Sequence, residues 1–185
     1  ANLARVRADA FVLISTVAVY ERPSGVTEDS PVSADRLAPY GRHRLELEEF
    51  VRRQFPGAVV VRLPGVFGPG LRKNVIYDLL HGEYAHAQGA DSQLQYYDVG
   101  RLWADIERAR SHGVALLNLA TEPVTLTEIG RVCTGKDVSR LCGGPVVYDD
   151  MHSKHADLWG QSGPYLYPRK VVLRDLSSFV AAAVS

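Results

Sequence analysis

The sequence predicts an α/β protein built on parallel strands, and three observations carry that prediction. Two apolar runs, Phe11-Val-Leu-Ile14 and Ala58-Val-Val-Val61, are short and unbroken, with Ser15-Thr16 ending the first and Pro56-Gly57 and Pro64-Gly65 bounding the second. Unbroken hydrophobicity suits strands covered on both faces, as parallel strands are. Between the runs, Leu37, Tyr40, Leu45, Leu47, Phe50 and Val51 fall at roughly helical spacing with charges among them, an amphipathic helix. Helix and strand patterns then alternate toward the C-terminus, the order of a layered α/β fold.

Taken in order, Ala1 to Asp9 reads as the tail of a helix leading into the first strand at Phe11. Glu21 to Leu37 is a polar loop with Pro23, Gly25 and Pro31; Ser33 to Asp35 offer caps for the following helix, and Pro39 suits its first turn. Ala58 to Leu63 is the second strand. Gly65-Val-Phe-Gly68-Pro-Gly70 reads as a turn, because its spacings and Pro69 do not suit a phosphate cradle. Lys73 to His81 is a helix, Leu102 to Ser111 an amphipathic helix, and Val114 to Leu119 a buried strand. Thr125-Leu-Thr-Glu128 is a capping box opening a helix to about Cys133. Val146 to Tyr148 reads as a short strand and Val171 to Val184 as a terminal helix. The chain has no internal repeat and no low-complexity segment.

Composition narrows the function. With 185 residues, 46% apolar and 23% charged, there is material for one sizeable core. A formal net charge of zero argues against broad binding to nucleic acid or anionic membranes. No apolar run approaches the ~20 residues needed to span a bilayer, and a cytoplasmic location is expected. Cys133 and Cys142 have no metal or redox spacing, and His152 and His155 stand three apart without a third ligand nearby, so no metal is expected.

The chemistry centres on Tyr40 and Arg44. Four residues apart on a helix, they emerge on one face a turn from each other. A phenol titrates near pH ~10 and is a poor base at neutrality, but a fixed cation within a few ångström favours the phenolate. Thr16, delivered at a strand end, can hydrogen-bond a substrate oxygen while Tyr40 gives or takes its proton, general acid–base work on an alcohol/carbonyl pair. The structural alternative is a Tyr packed in a core beside a solvated Arg.

Phe11-Val-Leu-Ile-Ser-Thr-Val-Ala-Val-Tyr20 followed by Pro39-Tyr-Gly-Arg-His-Arg44 resembles the extended short-chain dehydrogenase/reductases, in their nucleotide-sugar epimerase/dehydratase branch. The resemblance continues through Val59-Val-Val-Arg62-Leu-Pro-Gly-Val-Phe-Gly68-Pro-Gly70, Gln95-Tyr-Tyr-Asp-Val99 and Leu117 to Glu128, in the right order over nearly the whole chain. It implies the later part of a doubly wound, Rossmann-type parallel sheet with a small C-terminal substrate-binding lobe. Residues 1–70 would belong to the dinucleotide-binding domain and 71–185 mainly to the lobe, with about 94–120 returning to the main sheet. It also implies NAD or NADP as cofactor, with Ser15, Tyr40, Arg44, Leu63, Pro64, Gly65 and Val66 beside it. Tyr40, Thr16 and Arg44 would be catalytic, and Thr16 and Asn74 would meet a nucleotide-sugar substrate; for Asn74 a helix cap is the structural alternative. A homodimer paired through a helix is the family habit, and Leu45 to Phe50 would supply it.

Departures from the pattern matter as much. Arg44 stands where the family has a lysine, and Arg keeps the charge but cannot relay a proton. Leu94 stands where an arginine usually meets the diphosphate; Arg101, Arg72 or Lys73 would have to serve instead. The Gly-rich strand–turn–helix of dinucleotide folds has no counterpart before Phe11, so by resemblance the chain reads as the C-terminal part of a longer one. The expected activity is hydride transfer on a sugar, as an epimerase, dehydratase or reductase. The rival expectation is a catalytically impaired relative that binds cofactor or sugar nucleotide.

Overall fold

The computed structural model describes residues 3–83 and 88–184. Its centre is a three-stranded parallel sheet in the order β1 (Val12–Thr16), β2 (Val59–Leu63), β6 (Leu116–Asn118). The register is fixed by Ile14 opposite Val61 and by Val61 opposite Leu117. Side chains alternate along parallel strands, so residues of matched register share a face. Val12, Ile14, Val59, Val61, Leu63 and Leu117 join one core with Ile106 and Ala109 of α3 (Leu102–Ser111). Leu13, on the opposite face, packs with Val51 and Phe50 of α1 (Pro39–Gln54) and with Phe55, whose ring stacks on Phe11 at 4.1 Å. Both faces are covered, which is why these strands read as continuous apolar runs. Among the described residues β1 pairs with β2 alone and so forms one edge of the sheet.

Helix α1 begins with Pro39, whose absent N–H would have been unpaired in the first turn anyway. Its buried stripe is Gly41, Leu45, Glu48 and Val51, a helical spacing that includes a carboxylate. Ser33 does cap a helical turn, but a short 3-10 turn at Ala34–Arg36; the residue before α1 is Ala38, which makes no side-chain cap.

The C-terminal half builds a second core from α2 (Val75–Leu80), α4 (Leu126–Thr134) and α5 (Arg169–Val184), with Phe67, Leu94, Tyr96 and Val124 between them. Two small pairings frame it: β3 (Gly65–Phe67) runs parallel to β5 (Tyr96–Asp98), and β4 (Gln93–Leu94) lies antiparallel to β7 (Val124–Thr125). The capping box at Thr125 and Glu128 forms as expected, and α4 ends on Gly135 in the left-handed conformation.

Four expectations need correction. The leading segment is no helix tail: Leu3–Arg5 is a single 3-10 turn followed by irregular chain, while Ala1 and Asn2 lie outside the described residues. Gly65–Phe67 is a strand, with the turn confined to the glycines that follow. Val146 to Tyr148 forms no strand but a single bridge, Tyr148 to Gln93. The strand expected over Val114 to Leu119 is paired as a strand only at Leu116–Asn118.

Candidate active site

A polar row closes the C-terminal ends of the central strands. Ser15, Arg62 and Asn118 are register partners across β1, β2 and β6 and share the face that α1 covers. Glu48 of α1 meets them there. Arg62 Nε and Nη2 donate to the two Glu48 oxygens at 3.0 and 2.7 Å, and Ser15 Oγ donates to Glu48 Oε1 at 2.6 Å. Glu48 is 1% exposed and Arg62 2%. Arg62 Nη1 also donates to the Tyr20 hydroxyl at 2.7 Å, which donates in turn to the Thr27 carbonyl and accepts from the Asn118 amide. Burial pushes the Tyr20 phenol upward against the opposing pull of Arg62.

The same network pins the loop after β1. Glu28 accepts from the Asn118 backbone N–H and the Ser153 hydroxyl with one oxygen and from the Lys154 N–H with the other. Backbone bonds from Gly25 to Asp150 and from His152 to Val26 complete the clasp. A polar loop beside the strand ends is thereby given a fixed path.

Tyr40 stands in the first turn of α1 and is 56% exposed. The Arg44 guanidinium lies over its ring, 5.4 Å from the centroid, so the one-turn spacing does bring phenol and cation together. Gly41, the next residue, explains how this turn reaches the strand end. A Cβ placed on it would lie 2.0 Å from the Ala18 carbonyl oxygen, so only glycine lets α1 seat on the turn Val17–Val19. Thr16 caps that turn by accepting from the Ala18 N–H at 3.2 Å, which leaves its own hydroxyl proton available to a ligand.

Ser15 is buried, with its hydroxyl committed to Glu48. Leu63 and Val66 are half-buried, Pro64 is buried and Gly65 is exposed. The side of Gly65 where a side chain would stand is filled by the Tyr96 ring, 2.8 Å from a Cβ, so β5 uses that close approach; the exposed side remains for a ligand. Asn74 caps α2 by accepting from the Tyr77 N–H at 3.1 Å, and its amide nitrogen donates to the Val66 carbonyl at 2.8 Å. Those two bonds hold its backbone at φ 148°, a conformation costly for any residue but glycine.

The anion-binding candidates are dispersed. Leu94 is 4% exposed and part of the second core. Arg101 is paired with Asp175 and lies over Tyr167, while Arg72 and Lys73 are exposed. His152 contacts Asp150 at 3.2 Å, and among the described residues no group of three or more His, Cys, Asp or Glu could hold a metal. Cys133 is half-buried, its thiol pushed up to about 12 by burial, and Cys142 is buried. Of the stretch proposed for dimer contact, Leu45 and Glu48 face inward, and Leu47 and Phe50 are half-buried against Phe11 and Leu13.

Glu48, Arg62, Gly41, Tyr20, Glu28 and Asn118 were not singled out by sequence reasoning. One signal was present for Glu48: it sits at helical spacing between Leu45 and Val51, inside the apolar stripe. In chemistry, the phenol, guanidinium and hydroxyl of Tyr40, Arg44 and Thr16 are donors of the kind that ribose hydroxyls take. No glycine-rich turn leading into a helix is present in the sequence to cradle a pyrophosphate.

No family model matches the sequence, and comparison with curated proteins finds no match. Solved structures do match. A UDP-N-acetylglucosamine 4-epimerase from Methanobrevibacter ruminantium, in complex with UDP-N-acetylmuramic acid, superposes with a TM-score of 0.70 at 15% identity, over 98% of this chain and 64% of its own. A UDP-glucuronic acid 4-epimerase from Bacillus cereus, bound to a fluorinated UDP-sugar and NAD, gives 0.69 at 16% identity over 96% of this chain and 62% of its own. A dTDP-4-dehydrorhamnose reductase from Clostridium acetobutylicum gives 0.69 at 17% identity over 94% and 66%. The chain thus spans about two thirds of the length of the structures it matches. At such identities the likeness shows the fold alone, and the fold of this chain is the Rossmann-type, parallel-sheet α/β architecture that these epimerase and reductase structures share.

Proposed function

We propose that this chain takes part in NAD(P)-dependent hydride transfer on a nucleotide-linked sugar, with Tyr40 as general acid/base. The observation that carries this reading is the seating of the Tyr40 turn, through Gly41, on the turn that Thr16 caps. The phenol, the Thr16 hydroxyl and the exposed backbone of Gly65 then all lie near the C-terminal ends of parallel strands, where open α/β sheets bind ligands. The similar structures contain NAD and UDP-sugars, in keeping with this assignment.

Nicotinamide, when bound, supplies the two-electron acceptor or donor. The chain's own residues manage the proton and the geometry. Thr16 donates its free hydroxyl hydrogen to the sugar oxygen and fixes where that oxygen lies. Tyr40 takes the proton of the same sugar hydroxyl as its carbon is oxidised and returns it on reduction. Arg44 offers ribose hydroxyls a fork of N–H donors and holds the Tyr40 ring by its face. An epimerase and a dehydratase begin with this oxidation, and a reductase runs the same hydride and proton exchange in the opposite direction.

Turnover of UDP- and dTDP-sugars with NAD or NADP tests the reading, followed at 340 nm for a net reduction and by product analysis for an epimerisation or dehydration, in which the nicotinamide is regenerated. Tyr40→Phe is expected to lower kcat by about 10²-fold or more, and equal turnover by Tyr40→Phe would refute it. A second reading is favoured by the burial of Leu94 and the pairing of Arg101 with Asp175, which take away the usual diphosphate anchors. In that case the chain binds sugar nucleotide or cofactor without turning it over, which calorimetry would register as heat without product.

A further inference from the structure

We propose that the buried Glu48–Arg62 pair is a registry device, which sets where Tyr40 stands along β1 relative to Thr16. The inference rests on the reading of Tyr40 as the acid/base. Helix α1 otherwise meets the sheet through Leu47, Phe50 and Val51, and the turn and loop after β1 through Leu45, apolar contacts that carry no direction and tolerate sliding. Gly41 supplies a close approach to Ala18 but no bond. Direction comes from Glu48, seven residues on and on the same buried face as Gly41.

The pair reads the strands at two points and the intervening turn at both ends. Glu48 accepts from Ser15, the residue before Thr16, and from the Arg62 fork on β2. Arg62 reaches on to the hydroxyl of Tyr20, the residue after the turn Val17–Val19, and its guanidinium lies 4.9 Å from that ring's centroid. Thr16 and Ala18 are therefore bracketed by Ser15 on one side and Tyr20 on the other, both fastened to one ion pair. A bidentate fork fixes orientation as well as distance. Buried pairs of this kind seldom stabilise a fold more than apolar side chains of the same volume would, whereas a registry role is their best-attested use. Glu48 and Arg62 are positioning residues, since both are buried and bonded to protein groups.

The test is the double variant Glu48→Met/Arg62→Met beside both single variants, in the full chain. Each single variant should melt below wild type, because Glu48→Met strands the buried Arg62 and Arg62→Met leaves the buried Glu48 only the half-exposed Arg52, 3.7 Å away. The double variant should recover most of that loss yet show kcat lowered by about a hundredfold, with KM within about twofold of wild type. The NOE between Gly41 and the Ala18–Val19 amides should weaken in the double variant. A double variant with wild-type kcat and an intact NOE overturns the proposal. So does one that melts as low as the singles, for the pair would then serve stability alone. If the wild-type chain shows no Tyr40-dependent turnover, the functional reading fails separately, and the NOE still decides the registry.

Discussion

Replacing Gly41 by alanine tests the geometry of the candidate site most directly. The added Cβ would lie 2.0 Å from the Ala18 carbonyl oxygen and 3.0 Å from its carbon, against backbone that cannot rotate away. Ordinary C···O contact begins near ~3.3 Å, so the first turn of α1 and the turn Val17–Val19 must part by about 1.3 Å. Alanine improves helix propensity by roughly 1 kcal/mol over glycine, while overpacking costs about 1–3 kcal/mol and lies at the upper end against backbone. The net expectation is a loss of about 1–2 kcal/mol, which in a domain of this size lowers Tm by about 2–8 °C. The functional effect should be larger, because a 1 Å misplacement of a reacting group costs about 10²-fold in rate. Thermal denaturation followed by circular dichroism, together with turnover under the conditions used for Tyr40→Phe, measures both. An alanine variant more stable than wild type by the helix-propensity gain, with kcat unchanged, would show that α1 does not seat on Ala18, and the argument from that contact would fall.

Other expectations follow from buried groups away from Tyr40. Asp105 accepts from Tyr97 Oη at 2.6 Å, Tyr167 Oη at 2.7 Å and Trp159 Nε1 at 2.8 Å, so Asp105→Ala leaves three donors without their acceptor. At about 1–3 kcal/mol for each stranded donor it should destabilise by at least 3 kcal/mol in urea, and a smaller loss would mean that water enters. The Tyr97 phenol is pushed up by burial and then by the Asp105 charge, and Tyr96 by burial and then by Asp149. A phenol whose folded-state pKa is raised contributes stability that is whole below its unfolded value near ~10 and declines as pH rises beyond it. Cys133 and Cys142, also raised by burial, should start the decline near the unfolded thiol value of about 8.5, and the phenols should steepen it above about 10, by up to about 1.4 kcal/mol per pH unit for each such group; no slope up to pH 11 would contradict the burial. Thr125→Ala removes one half of the capping box and should cost about 1 kcal/mol, read from the urea midpoint.

What the chain's local pattern reveals, and what it hides, follows from the range of the interactions. The helix Leu102–Ser111 and the box at Thr125 depend on neighbours within a turn or two, and the strands at Val12–Thr16 and Val59–Leu63, though paired across 47 residues, announce themselves by unbroken apolar runs; each was legible. Tyr40 beside Arg44 is likewise a one-turn relation. Val146 to Tyr148 misled because an apolar triplet has the composition of a strand, yet its pairing is a single bridge to Gln93, more than fifty residues earlier. Asn74 was open between ligand and cap; the cap is what its carbonyl oxygen does, so a nucleotide contact would use what remains of its amide.

Arg62 shows why the rest of the site stayed hidden. In sequence it is one charge after three valines, and a reader expects the strand to weaken or turn outward there. In the fold it is among the most deeply buried side chains, because Glu48, fourteen residues earlier on another element, brings a carboxylate to meet it. Neither residue is intelligible without the other: a Glu in an apolar helical stripe and an Arg in an apolar strand are both errors of pattern when taken singly. Taken together they cancel, and the point at which they cancel is the row Ser15, Arg62, Asn118, where three parallel strands end and a ligand would begin. A break in hydrophobic patterning on a helix, matched by one of opposite charge on the neighbouring strand, is therefore a signal that sequence reading can use, and here it points to the strand ends that carry Thr16.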